Sequence, residues 1–310
     1  MATTPEIPAA RMEGTVELCD GRAIGLAEYG VPDGNTIFWF HGTPGGRRQI
    51  PPLARRIALE RGIRLIGIER PGAGSSTPHL HDSLLAWADD MQQIADRLNV
   101  DRFGLVGLSG GGPYVLSCAH ELPDRVVAGA VLGGVAPSCG DEAVPGGAVA
   151  LARRLRLPLG VFHGGLGRLA WVLTYSARPL ASQAFDLFIS TMPEGDQAVM
   201  WRPEMKAMFL DDMLRAGRRQ LRAPIYDMVL FSRPWGFSLR DIRVPIRFWH
   251  GDADHLVPLA HGEHQARLVP DSDLKVRPRE GHMGSLDAAD EILETLLGLW
   301  PRQTARSRVG

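Results

Sequence analysis

The sequence predicts an α/β fold, in which helices flank one mostly parallel β-sheet. Short apolar runs at residues 36–40, 63–68, 103–108 and 126–132 are too continuous for amphipathic strands, and they are typical of buried parallel strands. A pattern of helix-spaced apolar residues separates the second run from the third. Strand character returns at residues 244–250 and 274–276. This alternation of strand and helix indicates βαβ units with helices on both faces of the sheet.

Local signals predict the remaining elements of the core. Asp20-Gly21 lies between two short alternating segments within residues 14–29 and favours the turn of an antiparallel hairpin. Ser83 is a candidate N-cap for the helix between the second and third apolar runs. Two further helices are expected near residues 258–268 and 288–300. Residues 302–310 are polar and basic without periodicity, and we expect them to form a frayed tail.

The strand pattern is interrupted at residues 136–238. This segment offers no convincing strand pair and is rich in Arg, Leu, Met and Trp, with six of the ten methionines between Met192 and Met228. We therefore predict a helical insertion at residues 136–238, in a core formed by residues 1–135 and 239–310. The Met and Trp content suits a pliable apolar roof over a pocket, although ordinary packing explains it equally well.

Composition excludes several classes of protein. The formal charge of −1, from 34 basic and 35 acidic residues, gives no field that would attract nucleic acid or an anionic membrane. The three cysteines are far apart, which excludes a disulfide framework and a zinc ribbon and favours a reducing cytoplasm. No apolar stretch is long enough for a membrane span. The sequence leaves the choice between monomer and homo-oligomer open.

A candidate nucleophile lies where the strand at residues 103–108 meets a predicted helix. The junction reads GLSGG at residues 107–111. A sharp turn from strand to helix strains its central residue and projects the side chain above the sheet, and flanking glycines leave room for this packing. Ser109 is therefore the predicted nucleophile, and the N–H of Gly110 can bind an oxyanion. A glycine-rich turn with a capping serine is the structural alternative.

A second glycine-rich loop, HGTPGG at residues 41–46, follows the strand at residues 36–40. It lies at the carboxyl end of a predicted parallel strand, where α/β sheets form their sites. We expect the N–H of Thr43 to complete the oxyanion hole with that of Gly110, because Pro44 has no N–H to donate. His41 is expected to brace this loop, and a simple glycine-rich turn is the alternative interpretation.

A serine nucleophile needs a histidine base and a carboxylate that orients the histidine. His282 lies between the last predicted strand and the last helix, which suits the base. Two carboxylates follow the strand at residues 244–250, namely Asp252 and Asp254. We choose Asp254 as the acid because it lies deeper in its loop, whereas Asp252 follows a glycine and is typical of a turn. His261 and His264 are interpreted as exposed helix residues, and we predict no metal site.

Together these segments resemble the α/β-hydrolase superfamily, specifically its esterase- and lipase-like serine branch with a helical cap. The resemblance covers residues 16–300 and rests on HGTPG (41–45), RPGAGSS (70–76), the Ser109 junction, GDADHLVP (251–258) and GH (281–282). It implies an eight-stranded sheet, a cap between the sixth and seventh strands, and hydrolysis without a cofactor. It also places the acid at Asp254. Epoxide hydrolases and dehalogenases use an aspartate at the junction, so Ser109 argues against both.

We therefore expect a carboxylesterase-like serine hydrolase acting on a small, apolar ester or related acyl compound through an acyl-enzyme. The predicted catalytic residues are Ser109, Asp254 and His282, and the predicted oxyanion donors are Thr43 and Gly110. A carbon–carbon bond hydrolase or a cofactor-free perhydrolase would use the same triad. A ligand-binding receptor on this fold is the alternative of another class.

Overall fold

The computed structural model of the protein describes residues 7–147 and 156–301, so the tail predicted at residues 302–310 lies outside it. Eight strands form one sheet in the order β1-β2-β4-β3-β5-β6-β7-β8. The strands are β1 (Met12–Glu17), β2 (Ala23–Gly30), β3 (Asn35–Phe40), β4 (Ile63–Ile68), β5 (Phe103–Leu108), β6 (Val126–Leu132), β7 (Ile246–Gly251) and β8 (Ser272–Arg277). The pairs β1–β2 and β2–β4 are antiparallel and the others are parallel, which confirms the predicted fold class.

Helices connect the parallel strands and make up much of the described chain between β6 and β7. The described helices are α1 (Pro52–Glu60), α2 (Ala86–Arg97), α3 (Gly112–Glu121), α4 (Arg156–Ser176), α5 (Ala181–Ser190), α6 (Glu194–Met200), α7 (Pro203–Ala216), α8 (Ala223–Phe231), α9 (Ala260–Leu268) and α10 (Ala289–Gly298). We call α4 to α8 the insertion helices. They lie within residues 136–238, whose exact limits as a separate unit stay a prediction.

Apolar side chains cover both faces of the sheet. Along β3, Phe38 and Phe40 face one cluster, in which Trp87 of α2 packs edge-on against Phe40. Ile37 and Trp39 face the opposite cluster, which includes α1 and α10. Burial of each such side chain contributes roughly 1.5–3 kcal/mol, so the continuous apolar runs of the sequence produce a sheet that is covered on both sides.

Two local predictions need correction. Ser83 is not the N-cap of α2, which begins at Ala86 with Leu85 at the cap position and no side-chain cap. The Trp87 N–H bonds instead to the carbonyl of Leu84, in a turn that precedes the helix. β7 begins at Ile246 rather than at residue 244, because a proline at position 245 has no N–H for the ladder.

None of the helices in the two described ranges combines the length and the apolar character that crossing a bilayer requires.

Candidate active site

Ser109 lies at the carboxyl end of β5, on the turn into α3. Its φ of 52° is a left-handed conformation that is uncommon for a residue with a side chain. Neighbouring glycines permit the turn, because a Cβ at Gly107 would lie 2.5 Å from the Gly111 carbonyl oxygen. Likewise, a Cβ at Gly111 would lie 2.5 Å from the carbonyl oxygen of Phe40. Close backbone packing therefore fixes Ser109 at the junction.

His282 and Asp254 form a buried pair on the loops that follow β8 and β7. The Nδ1 atom of His282 lies 2.7 Å from Oδ2 of Asp254, and both side chains are at most 5% exposed. A carboxylate can only accept hydrogen bonds, so Nδ1 carries the proton and donates it. In the neutral ring with the proton on Nδ1, the Nε2 atom has a free lone pair. This is the tautomer that a general base requires.

The second oxygen of Asp254 is also held in place. Its Oδ1 atom accepts hydrogen bonds from the N–H groups of Leu256 and Val257, at 2.9 and 2.8 Å. Burial raises the pKa of Asp254, but the hydrogen bond and charge of His282 together with the Val257 N–H outweigh it and leave the pKa below its ordinary value. The carboxylate is therefore charged and oriented at neutral pH.

Asp252 has a different place in the site. It is exposed, and its Oδ1 atom accepts the N–H of Arg279 at 2.6 Å. Arg279 itself has a φ of 63°, so this bond supports a strained turn that leads to the histidine loop. The structure thus pairs His282 with Asp254 and gives Asp252 a bracing position, while the catalytic roles stay predictions.

Thr43 and Gly110 lie against each other beside Ser109. A Cβ at Gly110 would lie 2.2 Å from Oγ1 of Thr43, so only glycine permits this approach. Within residues 7–147 and 156–301 no hydrogen-bond acceptor is paired with the Thr43 N–H. The structure brings Thr43 and Gly110 together, and the action of their N–H groups on a substrate remains a prediction.

A buried ion pair lies beneath the Thr43 loop. Arg70 Nη2 is 2.7 Å from Asp227 Oδ2, and both side chains are at most 2% exposed. Arg70 also donates to the carbonyl oxygens of His41 and Gly42, at 2.6 and 2.9 Å. The Thr43 hydroxyl donates to Asp227 at 2.5 Å. Asp227 lies on α8, so an insertion helix and the β4 loop together fix the Thr43 loop.

Two neutral side chains complete this network. Burial, assisted by the charge of Arg70, lowers the pKa of His41 well below its ordinary value. Neutral His41 donates from Nδ1 to the Gly42 carbonyl at 2.7 Å and accepts the Arg70 N–H at Nε2, so it braces the loop. Burial, followed by the charge of Asp227, raises the pKa of Tyr114 well above its ordinary value, and the phenol donates to Asp227 at 2.6 Å.

Asp227 is one of three buried aspartates on the insertion helices, here called the anchoring carboxylates: Asp196, Asp212 and Asp227. Asp212 on α7 accepts the N–H groups of Gly46 and Arg48, at 2.8 and 2.9 Å. Asp196 on α6 accepts three N–H groups of the loop that contains His282. Each carboxylate thus holds a core loop that carries a predicted site residue, or its flank.

An apolar cavity of about 570 Å³ extends from Ser109 toward the insertion helices. Thr43, Gly110 and His282 line its base. Its walls include apolar side chains of the insertion, among them Phe185, Phe188, Phe209, Met213, Leu214 and Phe231. The arrangement places Ser109, His282, Thr43 and Gly110 along one apolar chamber.

Neither histidine that we predicted to be an exposed helix residue is exposed, since His264 is half-buried and His261 is buried. His261 is buried rather than exposed, and its Nδ1 atom accepts the N–H of Ala136 at 3.1 Å. Burial lowers its pKa to about 4, so it accepts this bond as a neutral ring. The prediction of an exposed His261 is therefore wrong, because α9 turns this side chain toward the loop after β6.

Sequence reasoning missed the anchoring carboxylates and the ion pair of Arg70. Arg70 belongs to the RPGAGSS segment that was noted, but its buried position depends on an acidic partner 157 residues further along the chain. The three aspartates lie in an insertion whose local pattern predicts only helices. An acidic residue that is buried by tertiary contact leaves no periodic signal in the sequence.

The comparisons with known proteins establish the family of this chain. A family model described as the alpha/beta hydrolase fold matches residues 35–289, so the chain belongs to the α/β-hydrolase fold family. An esterase from Rhodococcus sp. ECU1013 superimposes with a TM-score of 0.67 at 19% identity, covering 93% of this chain and 99% of that chain. This likeness agrees with the observed fold.

Curated relatives differ in named activity. A bifunctional esterase/perhydrolase of Acinetobacter calcoaceticus is 28% identical over 92% of this chain and 98% of its own length. A 2-hydroxy-6-oxononadienedioate/2-hydroxy-6-oxononatrienedioate hydrolase of Pseudomonas sp. is 23% identical over 86% of this chain and 88% of its own. The Arabidopsis thaliana proline iminopeptidase is 29% identical over 39% of this chain, and this chain spans about a third of that relative and of a second iminopeptidase.

Proposed function

We propose that the protein is a serine hydrolase that cleaves neutral, apolar esters through an acyl-enzyme on Ser109. The observation that carries this proposal is the shared cavity: Ser109 and His282 line one apolar chamber, and Asp254 holds His282 by its Nδ1 atom. A structural serine at a glycine-rich turn would not need a histidine of fixed tautomer in the same cavity. Family membership supports the same interpretation.

The proposed reaction has two halves. Ser109 Oγ attacks the ester carbonyl carbon while His282 Nε2 takes the hydroxyl proton, and the carbonyl oxygen becomes an oxyanion. The N–H groups of Thr43 and Gly110 stabilise that oxyanion, each by about 3 kcal/mol. The C–O bond then breaks, and His282 protonates the departing alcohol. Water repeats the sequence on the acyl-enzyme, releasing the acid and restoring the Ser109 hydroxyl.

The cavity walls favour a neutral acyl group. Among the described residues that line the chamber there is no carboxylate, and Arg178 is the one arginine. Arg178 is engaged already, because it donates to the Leu214 carbonyl at 2.6 Å and lies 4.4 Å above the Tyr175 ring. A cationic substrate would therefore lose its hydration without gaining a counter-ion, which costs several kcal/mol, and an anionic one would have to draw Arg178 from these contacts. An aliphatic chain would gain about 0.8 kcal/mol for each buried CH₂.

Perhydrolysis is the second candidate, favoured by the full-length relative named as a bifunctional esterase/perhydrolase. The same acyl-enzyme would then be attacked by hydrogen peroxide in place of water, giving a peracid. A carbon–carbon bond hydrolase and a ligand-binding receptor remain alternatives on the same site. We also propose that the insertion helices act as the cap and that the protein works in the cytoplasm, supported by three unpaired cysteines.

The test combines labelling with turnover. We expect a fluorophosphonate to label Ser109, located by peptide mapping, and p-nitrophenyl esters of four to twelve carbons to be hydrolysed. Ser109→Ala should lose both signals, while a matched change at the buried Ser117→Ala, which lies on α3 away from the cavity lining, should keep them. Near-normal ester hydrolysis by Ser109→Ala would refute the proposal. Hydrogen peroxide and a dienone substrate test the alternative reactions, and ligand binding without labelling would indicate a receptor.

A further inference from the structure

The insertion contributes one buried charge directly to the loop that carries His282. Asp196 is the third residue of α6 and is fully buried. Its Oδ1 atom accepts the N–H groups of Gly281 and Gly284, both at 2.8 Å, and its Oδ2 atom accepts that of Met283 at 3.0 Å. These donors lie on both sides of His282 in the chain, so one carboxylate clamps the backbone around the imidazole.

Glycines on both partners permit the clamp. A Cβ at Gly281 would lie 2.6 Å from Asp196 Oδ2 and 2.8 Å from Pro193. On the insertion side, a Cβ at Gly195 would lie 2.7 Å from the Arg279 carbonyl oxygen. Helix α6 therefore approaches the histidine loop at backbone distance, and the contact is specific in shape as well as in charge.

The clamp completes the restraints on His282. From the core side, Asp254 holds the imidazole at Nδ1, and the Ala253 N–H bonds to the Glu280 carbonyl at 2.9 Å. From the insertion side, Asp196 holds the backbone. The direction of the imidazole depends on both, because a rotation of the loop would move Nε2 even if the Asp254 bond were kept.

We propose that Asp196 is a positioning residue for His282, through which the insertion sets the geometry of the base. The proposal rests on the proposed function, since it assigns Asp196 a role in the same reaction. Asp196 does not line the cavity, so it acts through the loop rather than on the substrate. Loss of the clamp should impair proton transfer while leaving the apolar chamber able to bind the acyl chain.

Asp196→Asn is the first test. The asparagine amide keeps the shape of the aspartate side chain, and its oxygen can still accept a hydrogen bond. Its NH₂ group, however, is a donor and faces an N–H donor of the loop, so at least one hydrogen bond of the clamp is lost. We expect kcat, expressed per fluorophosphonate-titrated site, to fall roughly ten- to a hundredfold, because small misplacements of a catalytic group have effects of this size. KM should change less than about threefold. Asp186→Asn is the matched control, since Asp186 is a partly exposed carboxylate on α5 that pairs with Lys206, and it should behave as wild type.

A spectroscopic readout separates positioning from general stability. The proton between His282 Nδ1 and Asp254 should give a low-field NMR signal that Asp254→Asn removes. In Asp196→Asn this signal should shift or broaden, while in Asp186→Asn it should stay unchanged. If Asp196→Asn fails to fold, Gly281→Ala serves instead. Its new Cβ pushes the histidine loop away from Asp196 but leaves the carboxylate of Asp196 in place.

The outcomes are distinct. A value of kcat per titrated site within twofold of wild type in the folded variant overturns the role of Asp196. So does a loss of activity that merely follows a loss of titrated sites, since that pattern marks instability alone. Neither outcome affects the proposed function, which fails if the wild-type protein is unlabelled at Ser109, if it hydrolyses no ester, or if Ser109→Ala keeps near-normal ester hydrolysis.

Discussion

The sheet and the insertion helices bury their large apolar side chains to very different degrees. Every residue of β5 is buried, whereas Phe162, Leu173 and Leu187 of the insertion are 62–70% exposed. Some inner apolar residues of the insertion line the cavity, while others, among them Val199, Met205 and Met208, are buried in the same apolar cluster as the sheet. The sheet is therefore stabilised by apolar packing on both faces, while the insertion combines apolar packing with the anchoring carboxylates that bind core loops.

Replacing the predicted acid should have the largest effect, and it tests the part of the site that lies on the core loops. We expect Asp254→Asn to lower kcat about 10⁴-fold, because the amide favours the wrong histidine tautomer. Asp252→Asn, the matched change in the same loop, should stay within about threefold of wild type. Steady-state ester hydrolysis measures both. If Asp252→Asn alone lost its rate, the assignment of the acid would be wrong.

Removal of the Asp227 carboxylate tests whether the insertion is held to the core through its buried acids. Asp227→Ala leaves the guanidinium of Arg70 buried without its charge partner, so we expect the free energy of unfolding to fall by about 3–5 kcal/mol. Asp186→Ala removes the exposed pair with Lys206 and should cost less than about 1 kcal/mol. Urea unfolding of both variants measures the difference. Equal losses would show that the insertion is not anchored through its buried carboxylates.

Asp212 predicts a pH dependence of stability. Burial, with a further contribution from the charge of Glu69, raises its pKa to about 7 against the opposing N–H groups of Arg48 and Gly46. Between the unfolded pKa of about 4 and this value the folded state binds more protons, so the free energy of unfolding falls as pH rises. We expect a loss of about 2–3 kcal/mol from pH 5 to pH 7 that flattens above pH 7.

The control for this prediction is Asp212→Asn, which cannot ionise. Urea midpoints measured at pH 5, 6, 7 and 8 should show a shallower slope in the variant than in the wild-type protein. Parallel slopes would mean that Asp212 does not titrate in this range. Activity should be followed separately, because Asp212 holds the Gly46 and Arg48 N–H groups beside the Thr43 loop.

Filling the cavity should have the smallest effect on catalysis. Met213→Trp narrows the chamber and should lower kcat/KM for dodecanoyl esters about tenfold, equivalent to about 1.4 kcal/mol, while butanoyl esters are unaffected. Leu187→Trp, on the exposed side of α5, should change neither value. A chain-length series of p-nitrophenyl esters makes the measurement. An unchanged preference in Met213→Trp would place the acyl chain elsewhere.

The fold could be predicted from the sequence because buried parallel strands and glycine-rich junctions have local signals. The runs that became β4, β5 and β6 were predicted residue for residue, and the serine junction needs only the glycines around Ser109. The choice of Asp254 over Asp252 used loop position, and the structure pairs that residue with His282, although its role is untested. Local signals failed at Ser83 and at His261, where neighbouring turns and helix orientation decide the contacts.

The connection between insertion and core could not be predicted. Asp196 and Gly281 are separated by 85 residues, and neither has a neighbour in sequence that indicates the other. Charge and composition give the average character of the insertion, while the anchoring carboxylates act through particular partners in the core, which are backbone N–H groups for Asp196 and Asp212 and side chains for Asp227. Such contacts exist only after the chain has folded.

The anchoring carboxylates also limit how far the specificity of this scaffold can be redesigned by swapping modules. A chimera that received another enzyme's α6 and α7 without acids at the places of Asp196 and Asp212 would leave five loop N–H groups without acceptors. Each costs about 1–3 kcal/mol when buried. Transplanted pocket walls would therefore need to retain both aspartates if the recipient is to remain folded and active.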